Sequence, residues 1–326
     1  DAGPTIVTAP HLFEELWALC GRRMEDDVRL TALDPFYRLI FADGSSLDCC
    51  GDETKMRARI AAFAPGDAAG YEAFMRDAEA IYGVGFEQLA DVPFSTLADM
   101  LKALPAMARL RADRSVYGLA ARHVRDERLL SFHPLFIGGN PFATTAIYAL
   151  VIHLERKFGV HFAQGGTGAL VAGLVKLLEG QGATLRYGAE VAEITVAHGA
   201  ATGVRLADGE TIAADVVVSN ADAAYTYGTL LKAQPRQRWS DAKLKRARYS
   251  MSVVVWYFGT RRRYDSVPHH SILFGPRYRG LVEDIFERKV LSQDFSLYLH
   301  RPTATDPALA PAGCDAFYAL VPVPNL

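Results

Sequence analysis

The chain has 326 residues, half of them hydrophobic and 22% charged, with a net charge of −2. That composition provides ample core material and room for two domains of roughly 100–200 residues each. The near-neutral balance and the lack of a basic low-complexity tail exclude a general nucleic-acid binder. The four cysteines, Cys20, Cys49, Cys50 and Cys314, have no C-x-x-C spacing. They point to a reducing, cytoplasmic compartment with no disulfide framework and no metal site.

In chain order, Asp1 to Thr5 is rich in turn residues, and Pro10 to Leu19 reads as a helix with Leu12, Leu16 and Leu19 on its apolar positions. Val28–Leu33 and Phe36–Phe41 read as strands. Asp43-Gly44 marks a hairpin, and Ser46–Cys50 is its returning strand. Thr54–Phe63 and Ala68–Ile81 are amphipathic helices separated by Pro65-Gly66, with Asp67 as an N-cap signal. Ser95 is the N-cap signal for the next helix, which carries Leu97, Met100, Leu101 and Leu104. Lys102, Arg109, Arg111 and Arg114 are interleaved with that apolar set, and Pro105 is expected to break the helix. Two readings stand for this stretch: a surface helix with a solvated charged face, or a helix lying in a bilayer interface.

Gly138 and Gly139 interrupt an apolar run and imply close approach of the backbone to a ligand or to another element. Thr145–Lys157 is a strongly apolar helix that is expected to be buried or to line a hydrophobic cavity. The longest uncharged apolar stretch, residues 137–154, is broken by glycines and a proline and is too short for a membrane span of about 20 residues.

The stretch from Gln164 to Asp222 organises the rest. Gly165-Gly166 opens a helix striped by Leu170, Leu174, Leu177 and Leu178, and Gly180 and Gly182 end it. Short strands are expected at Thr184–Tyr187, Glu190–Val196 and Thr202–Leu206. Asp208-Gly209 is expected to form a type I′ hairpin. Val216–Val218 is expected to be a strand buried on both faces. Helix, strands and buried run together suggest half of a dinucleotide-binding fold, although the same alternation occurs in α/β domains that bind no nucleotide. Beyond it, Met251–Phe258 is β-branched and aromatic and reads as a strand in a core sheet, and further strands are expected near His269-His270, at Phe295–Leu299 and at Asp315–Pro322, forming a second sheet.

Specific motifs recur across the whole length: DAGPT, YRL, VPF…DML, SFH with GGNPFATT, GGTGAL, VVSNAD, VWYFG, FGPRYR and DFSLYLH. Together they resemble the bacterial phytoene desaturases of the flavin amine-oxidase-like superfamily. The resemblance implies an incomplete FAD-binding Rossmann-like α/β domain, made of residues 1–12 and 155–230. It also implies an α+β substrate and membrane-contact domain of mixed sheet and helices, made of residues 13–154 and 231–326. No G-x-G-x-x-G is present, so the chain is expected to be a fragment lacking both termini and unable to hold FAD securely alone.

The activity implied is FAD-dependent desaturation of phytoene toward lycopene, by hydride transfer from the polyene to flavin. The substrates are phytoene and carotenoid intermediates, and the protein is a peripheral one at a membrane surface. Asp1, Gly3, Pro4 and Thr5 are placed by the resemblance near the flavin ring, Gly165 and Gly166 near flavin and substrate, and Val191 against the adenine. Asn220 and Ala221 close the adjacent strand. Asp99 matches a position suggested as acid or base, with Lys102 standing where arginine is expected. Tunnel walls are expected from the helix at 145–157, the Gly138-Gly139 bend and the strand at 251–258. Alternatives are a related carotenoid isomerase, ketolase or diapophytoene desaturase, or a non-enzymatic prenyl-lipid binder of the kind found among GDP-dissociation inhibitors.

Overall fold

A computed structural model of the chain describes residues 5–93, 96–126, 128–236 and 238–325. Two compact units emerge: one from residues 1–177 and 250–326, the other from residues 178–249. Asp1, Gly3, Pro4 and Ser95 lie outside the described residues.

The first unit opens with α1 (Pro10–Leu19), where proline sits in the first turn and its missing N–H leaves no gap in the ladder. Trp17 is fully buried with Met24, Val28, Leu170 and Leu177 in a small core of its own. Its indole donates to Asp27 Oδ2 at 2.8 Å, as a buried Trp N–H requires. The strands β1 (Leu30–Ala32), β2 (Tyr37–Ile40) and β3 (Ser46–Cys49) follow. Next come α2 (Glu53–Phe63), α3 (Ala68–Gly85), α4 (Leu97–Arg109), α5 (Val116–His123) and α6 (Arg128–Ser131). A 3-10 turn at Ala146–Ala149 leads into α7 (Leu150–Phe158), then β4 (His161–Ala163) and α8 (Thr167–Gly180).

The second unit holds β5 (Val191–Ala197), β6 (Ala200–Leu206) and β7 (Thr211–Ala213), an antiparallel three-stranded sheet. The chain then returns to the first unit with β8 (Ser252–Thr260), β9 (His270–Leu273), β10 (Leu297–His300) and β11 (Asp315–Val323). The large sheet runs in the order β3-β2-β9-β10-β11-β8, with β2 and β9 parallel and every other pair antiparallel. It therefore joins strands that are more than two hundred residues apart in the chain, and α3 packs on α5 and α7 beside it. The main core includes Leu39, Phe74, Phe132, Ile152 and Phe162.

Several local expectations are corrected. Asp67 does not cap α3: its two carboxylate oxygens accept from the backbone N–H groups of Arg125 and Asp126, at 3.0 and 3.1 Å, and tie down the segment after α5. Thr96 caps α4, in a capping box with Asp99. Pro105 does not break that helix. Leu101, whose carbonyl loses its i+4 donor, is 56% exposed, so solvent can take the bond. The strand expected at 251–258 does form in the large sheet, where it takes the edge position and leaves Val254, Trp256 and Tyr257 more than half exposed.

In the second unit, Thr184–Tyr187 is not a strand, and Val216–Val218 is neither paired nor buried. Val216 is 77% and Val218 87% exposed, because no described strand offers them a ladder. The pair with positive φ at both positions is His198-Gly199, between β5 and β6, as a type I′ turn demands. At Asp208-Gly209 only the glycine has positive φ, and Gly209 N–H bonds Leu206 O within a three-residue loop.

Candidate active site

Two neighbouring cavities in the first unit share Thr5 and Tyr318. The larger, about 440 Å³, is walled by Leu135–Gly138, by Tyr148, Val151 and Glu155 of the α7 region, and by Ser250, Met251 and Val253 at the start of β8. Tyr298 and Leu320 close it from β10 and β11. The three segments expected as tunnel walls thus meet around one mostly apolar space. Gly138 explains the bend: its φ is +67°, and an added Cβ would sit 2.8 Å from Ser250 Cβ. The close approach inferred from the glycines is therefore to the chain entering β8, to which Gly138 O also accepts a hydrogen bond from Met251 N at 3.2 Å.

The smaller cavity, about 300 Å³, lies at the N-terminus of α8. Gly165–Gly168 line one side, and Phe162, Tyr257, Phe317 and Tyr318 supply aromatic walls. Gly165 and Gly166 both have φ of +82°. A Cβ on Gly166 would meet nothing within 4 Å, so the turn presents bare backbone to open space. Gly165 N–H is already committed to Asp306 Oδ2 at 2.8 Å, which pins the turn to the segment between β10 and β11. A helix N-terminus, a bare glycine turn and aromatic faces suit a flat heteroaromatic ring with polar edges.

Thr5 joins the two cavities chemically. Its Oγ1 lies 2.8 Å from the Tyr318 hydroxyl and 3.2 Å from that of Tyr298, and the Tyr298 hydroxyl lies 2.6 Å from His270 Nδ1. Burial pushes both phenols up, Tyr298 the further, so they act as neutral donors and acceptors. Behind them three histidines are packed in the core. His269 Nε2 and His300 Nε2 are 3.0 Å apart, and Thr305 Oγ1 is 2.6 Å from His269 Nδ1. Burial drives His269 down to about 3 and His300 down to about 2, each reinforced by a positive or potentially positive neighbour, and His270 is also held well below its ordinary value. All three are neutral imidazoles near pH 7. Sequence reading located His269 and His270 only as part of a strand. The signal it passed over was histidine alternating with aromatic and apolar residues in two strands that turned out to be neighbours.

A second polar group sits in the wall of the larger cavity. Glu155, 1% exposed, accepts from the Tyr37 hydroxyl at 2.6 Å through Oε2, and His133 Nε2 lies 3.2 Å from the same oxygen and 3.0 Å from the Tyr37 oxygen. Burial, then the charge of Glu155, hold Tyr37 well above the usual phenol range. Neither Glu155 nor His133 was singled out from the sequence, because a lone Glu in an apolar helix reads as a solvated position.

The other residues singled out from sequence fall elsewhere. Asp99 accepts from Thr96 N–H at 2.9 Å and Thr96 Oγ1 at 2.7 Å, at the start of α4. In the second unit, Val191 opens β5 opposite Leu206, and Asn220 and Ala221 precede a short turn capped by Asp222.

Within an α/β fold, an apolar cavity thus lies beside a glycine turn with aromatic walls. The family model for flavin containing amine oxidoreductases matches residues 1–309, and the chain belongs to that family. FAD is accordingly the cofactor of its class. The chain is 52% identical to a neurosporene-forming phytoene desaturase of Cereibacter sphaeroides, over all of this chain and 64% of that protein. It is 47% identical to a lycopene-forming phytoene desaturase of Pseudescherichia vulneris, over all of this chain and 67% of that protein. A solved putrescine oxidase variant, 13% identical, shares the fold with a TM-score of 0.55 over 98% of this chain and 64% of that one. The chain thus spans about two thirds of the length of the desaturases it matches.

Proposed function

We propose that this chain forms the substrate pocket and part of the flavin site of a carotenoid desaturase that converts phytoene toward lycopene. The observation that carries the reading is the pair of cavities joined at Thr5 and Tyr318: an apolar one suited to a polyene, beside a glycine-and-aromatic one suited to a flavin ring. The named relatives desaturate phytoene, and a hydrocarbon without a charged handle demands a mostly apolar container.

A bound flavin would supply the two-electron acceptor. The chain's own residues do the rest. Leu135, Phe136, Val151 and Met251 exclude water and align the polyene by shape. Thr5, Tyr298 and Tyr318 separate polyene from ring and offer hydroxyls at the boundary. Gly165 and Gly166 open backbone toward the ring, with Asp1, Gly3 and Pro4 expected beside Thr5. In the second unit, Val191, Asn220 and Ala221 are the proposed contacts to the adenine half. Asp99 is retained as a proposed acid–base group. Its capping bonds to Thr96 hold the carboxylate in place, and Asp99→Asn in the complete enzyme tests it through the rate.

The protein is proposed to meet the bilayer peripherally through α4. Leu97, Met100, Leu101 and Leu104 are between 44% and 76% exposed on one face of that helix, with Lys102 and Arg109 available to lipid headgroups. No helix among the described residues is long and apolar enough to cross a membrane. Co-flotation of the complete protein with anionic liposomes, lost on changing Leu101 and Leu104 to serine, is the expected result. The catalytic test is expression of the complete gene in a phytoene-accumulating host: coloured polyene supports the reading, and unchanged phytoene contradicts it.

A further inference from the structure

We infer that Glu155, braced by Tyr37 and His133, is the proton acceptor for dehydrogenation in the apolar cavity. This rests on the desaturase reading above. Glu155 lines the cavity yet is 1% exposed. A carboxylate in such a wall carries a large desolvation cost unless its oxygens are paired. Only one of them is. Oε2 receives the Tyr37 hydroxyl at 2.6 Å and faces His133 Nε2 at 3.2 Å, whereas Oε1 has no hydrogen-bond partner.

The bonding pattern also fixes the imidazole. Tyr37 has a single proton and gives it to Glu155, so the Tyr37 oxygen, 3.0 Å from His133 Nε2, can only accept. Nε2 therefore carries a proton directed at these oxygens, and Nδ1 has no partner. Two donors hold one oxygen in place and leave the other unpaired and closed to water. This is the arrangement of a positioned base, in which the braced oxygen sets the orientation and the unpaired one is the acceptor.

The step balances as follows. A bound oxidised flavin would supply the two-electron oxidant, taking from one carbon of a saturated C–C unit a hydrogen with its bonding pair. The adjacent carbon loses a proton to Glu155 Oε1, and the electrons of that C–H bond become the new π bond. The substrate is thereby oxidised by two electrons, matching the two the acceptor would take up. The Tyr37 and His133 protons stay where they are and stabilise Oε2 throughout. Tyr37 and His133 are positioning residues, and of the three Glu155 is the one that meets the substrate.

The test uses the complete, flavin-loaded protein and the isosteric variant Glu155→Gln. Desaturation of phytoene in liposomes is expected to fall by about a hundredfold or more, within the range for removing a general base, with thermal unfolding and flavin content unchanged. A second readout needs no turnover. Dodecylammonium and dodecanol, matched in chain length, are titrated into the protein and followed by intrinsic fluorescence. The wild type is expected to bind the cation at least tenfold more tightly than the alcohol. The variant is expected to lose that preference while keeping its affinity for the alcohol. Undiminished desaturation, or a preference that survives in Glu155→Gln, overturns the inference. If the variant does not fold, the absence of any cation preference in the wild type overturns it equally. A wild type that makes no product contradicts the desaturase reading itself, whereas a wild type that makes product alongside an equally active variant sinks only the role of Glu155.

Discussion

The six-stranded sheet of the first unit and the valine run of the second contain similar residues and have opposite fates. In β8 and β11, nine residue pairs from Ser252↔Val323 to Thr260↔Asp315 are in register. Even where β8 is exposed on its faces, one side of its backbone is paired along its whole length with β11. Val216–Val218 has the same β-branched composition but no ladder, and Val216 and Val218 lie in solvent. A strand is thus a property of a pair. Residue type makes it favourable, and the partner decides whether it forms.

The difference between the units is sharpened first by acid. The first unit buries three neutral imidazoles, whereas the only histidine of the second, His198, is exposed. In the unfolded chain His269, His270 and His300 take up protons below about pH 6.5. In the folded chain they resist, down to about 3 for His269 and about 2 for His300. Their stabilising neutrality is fully present above pH 6.5 and is lost progressively as pH falls through that window, by about 1.4 kcal/mol per pH unit for each imidazole. Amide exchange between pH 7 and pH 4 should show β9 and β10 losing protection well before β5 and β6. Simultaneous loss in both units would break the contrast.

A smaller effect comes from one buried carboxylate. Asp315, 1% exposed, accepts from Tyr264 N at 2.7 Å, Thr303 Oγ1 at 2.6 Å and Arg301 Nη1 at 3.1 Å. Asp315→Ala leaves the Arg301 charge buried beside an empty site and should cost about 3–5 kcal/mol, read as a fall in the denaturation midpoint. Within the second unit the contrast is between neighbours. Ile194, 6% exposed on β5, should cost about 2–4 kcal/mol on change to alanine. Val216→Thr should stay within about 0.5 kcal/mol. A large effect at Val216 would show that the run is packed after all.

Periodicity made much of this fold legible. The helices at 10–19 and 167–180, the hairpin at Gly44 and most strands of the large sheet follow from local pattern and turn chemistry, because each signal lies within a few residues. What escaped was non-local. Nothing near Asp67 announces that Arg125 and Asp126 will come to its carboxylate, and nothing near Glu155 announces Tyr37, 118 residues away. β4 was passed over because its three residues become a strand only by pairing with β1. The site was legible in part: the glycine bend, the apolar helix and the β8 segment were each marked out by composition, and the structure showed that they enclose one space. Thr5 came from a motif, whereas Tyr298 and Tyr318 became visible only once β10 and β11 were set side by side.

The account stands most directly on that enclosed space. Val151 is a half-buried wall residue of the larger cavity and is absent from the smaller one. In the complete protein, Val151→Trp would fill much of the polyene space without touching the glycine turn. Phytoene conversion and flavin content should be measured together on the same preparation. The predicted result is at least a tenfold loss of conversion with flavin content unchanged. Conversion at the wild-type rate, with tryptophan occupying that space, would contradict the assignment of the cavity to substrate.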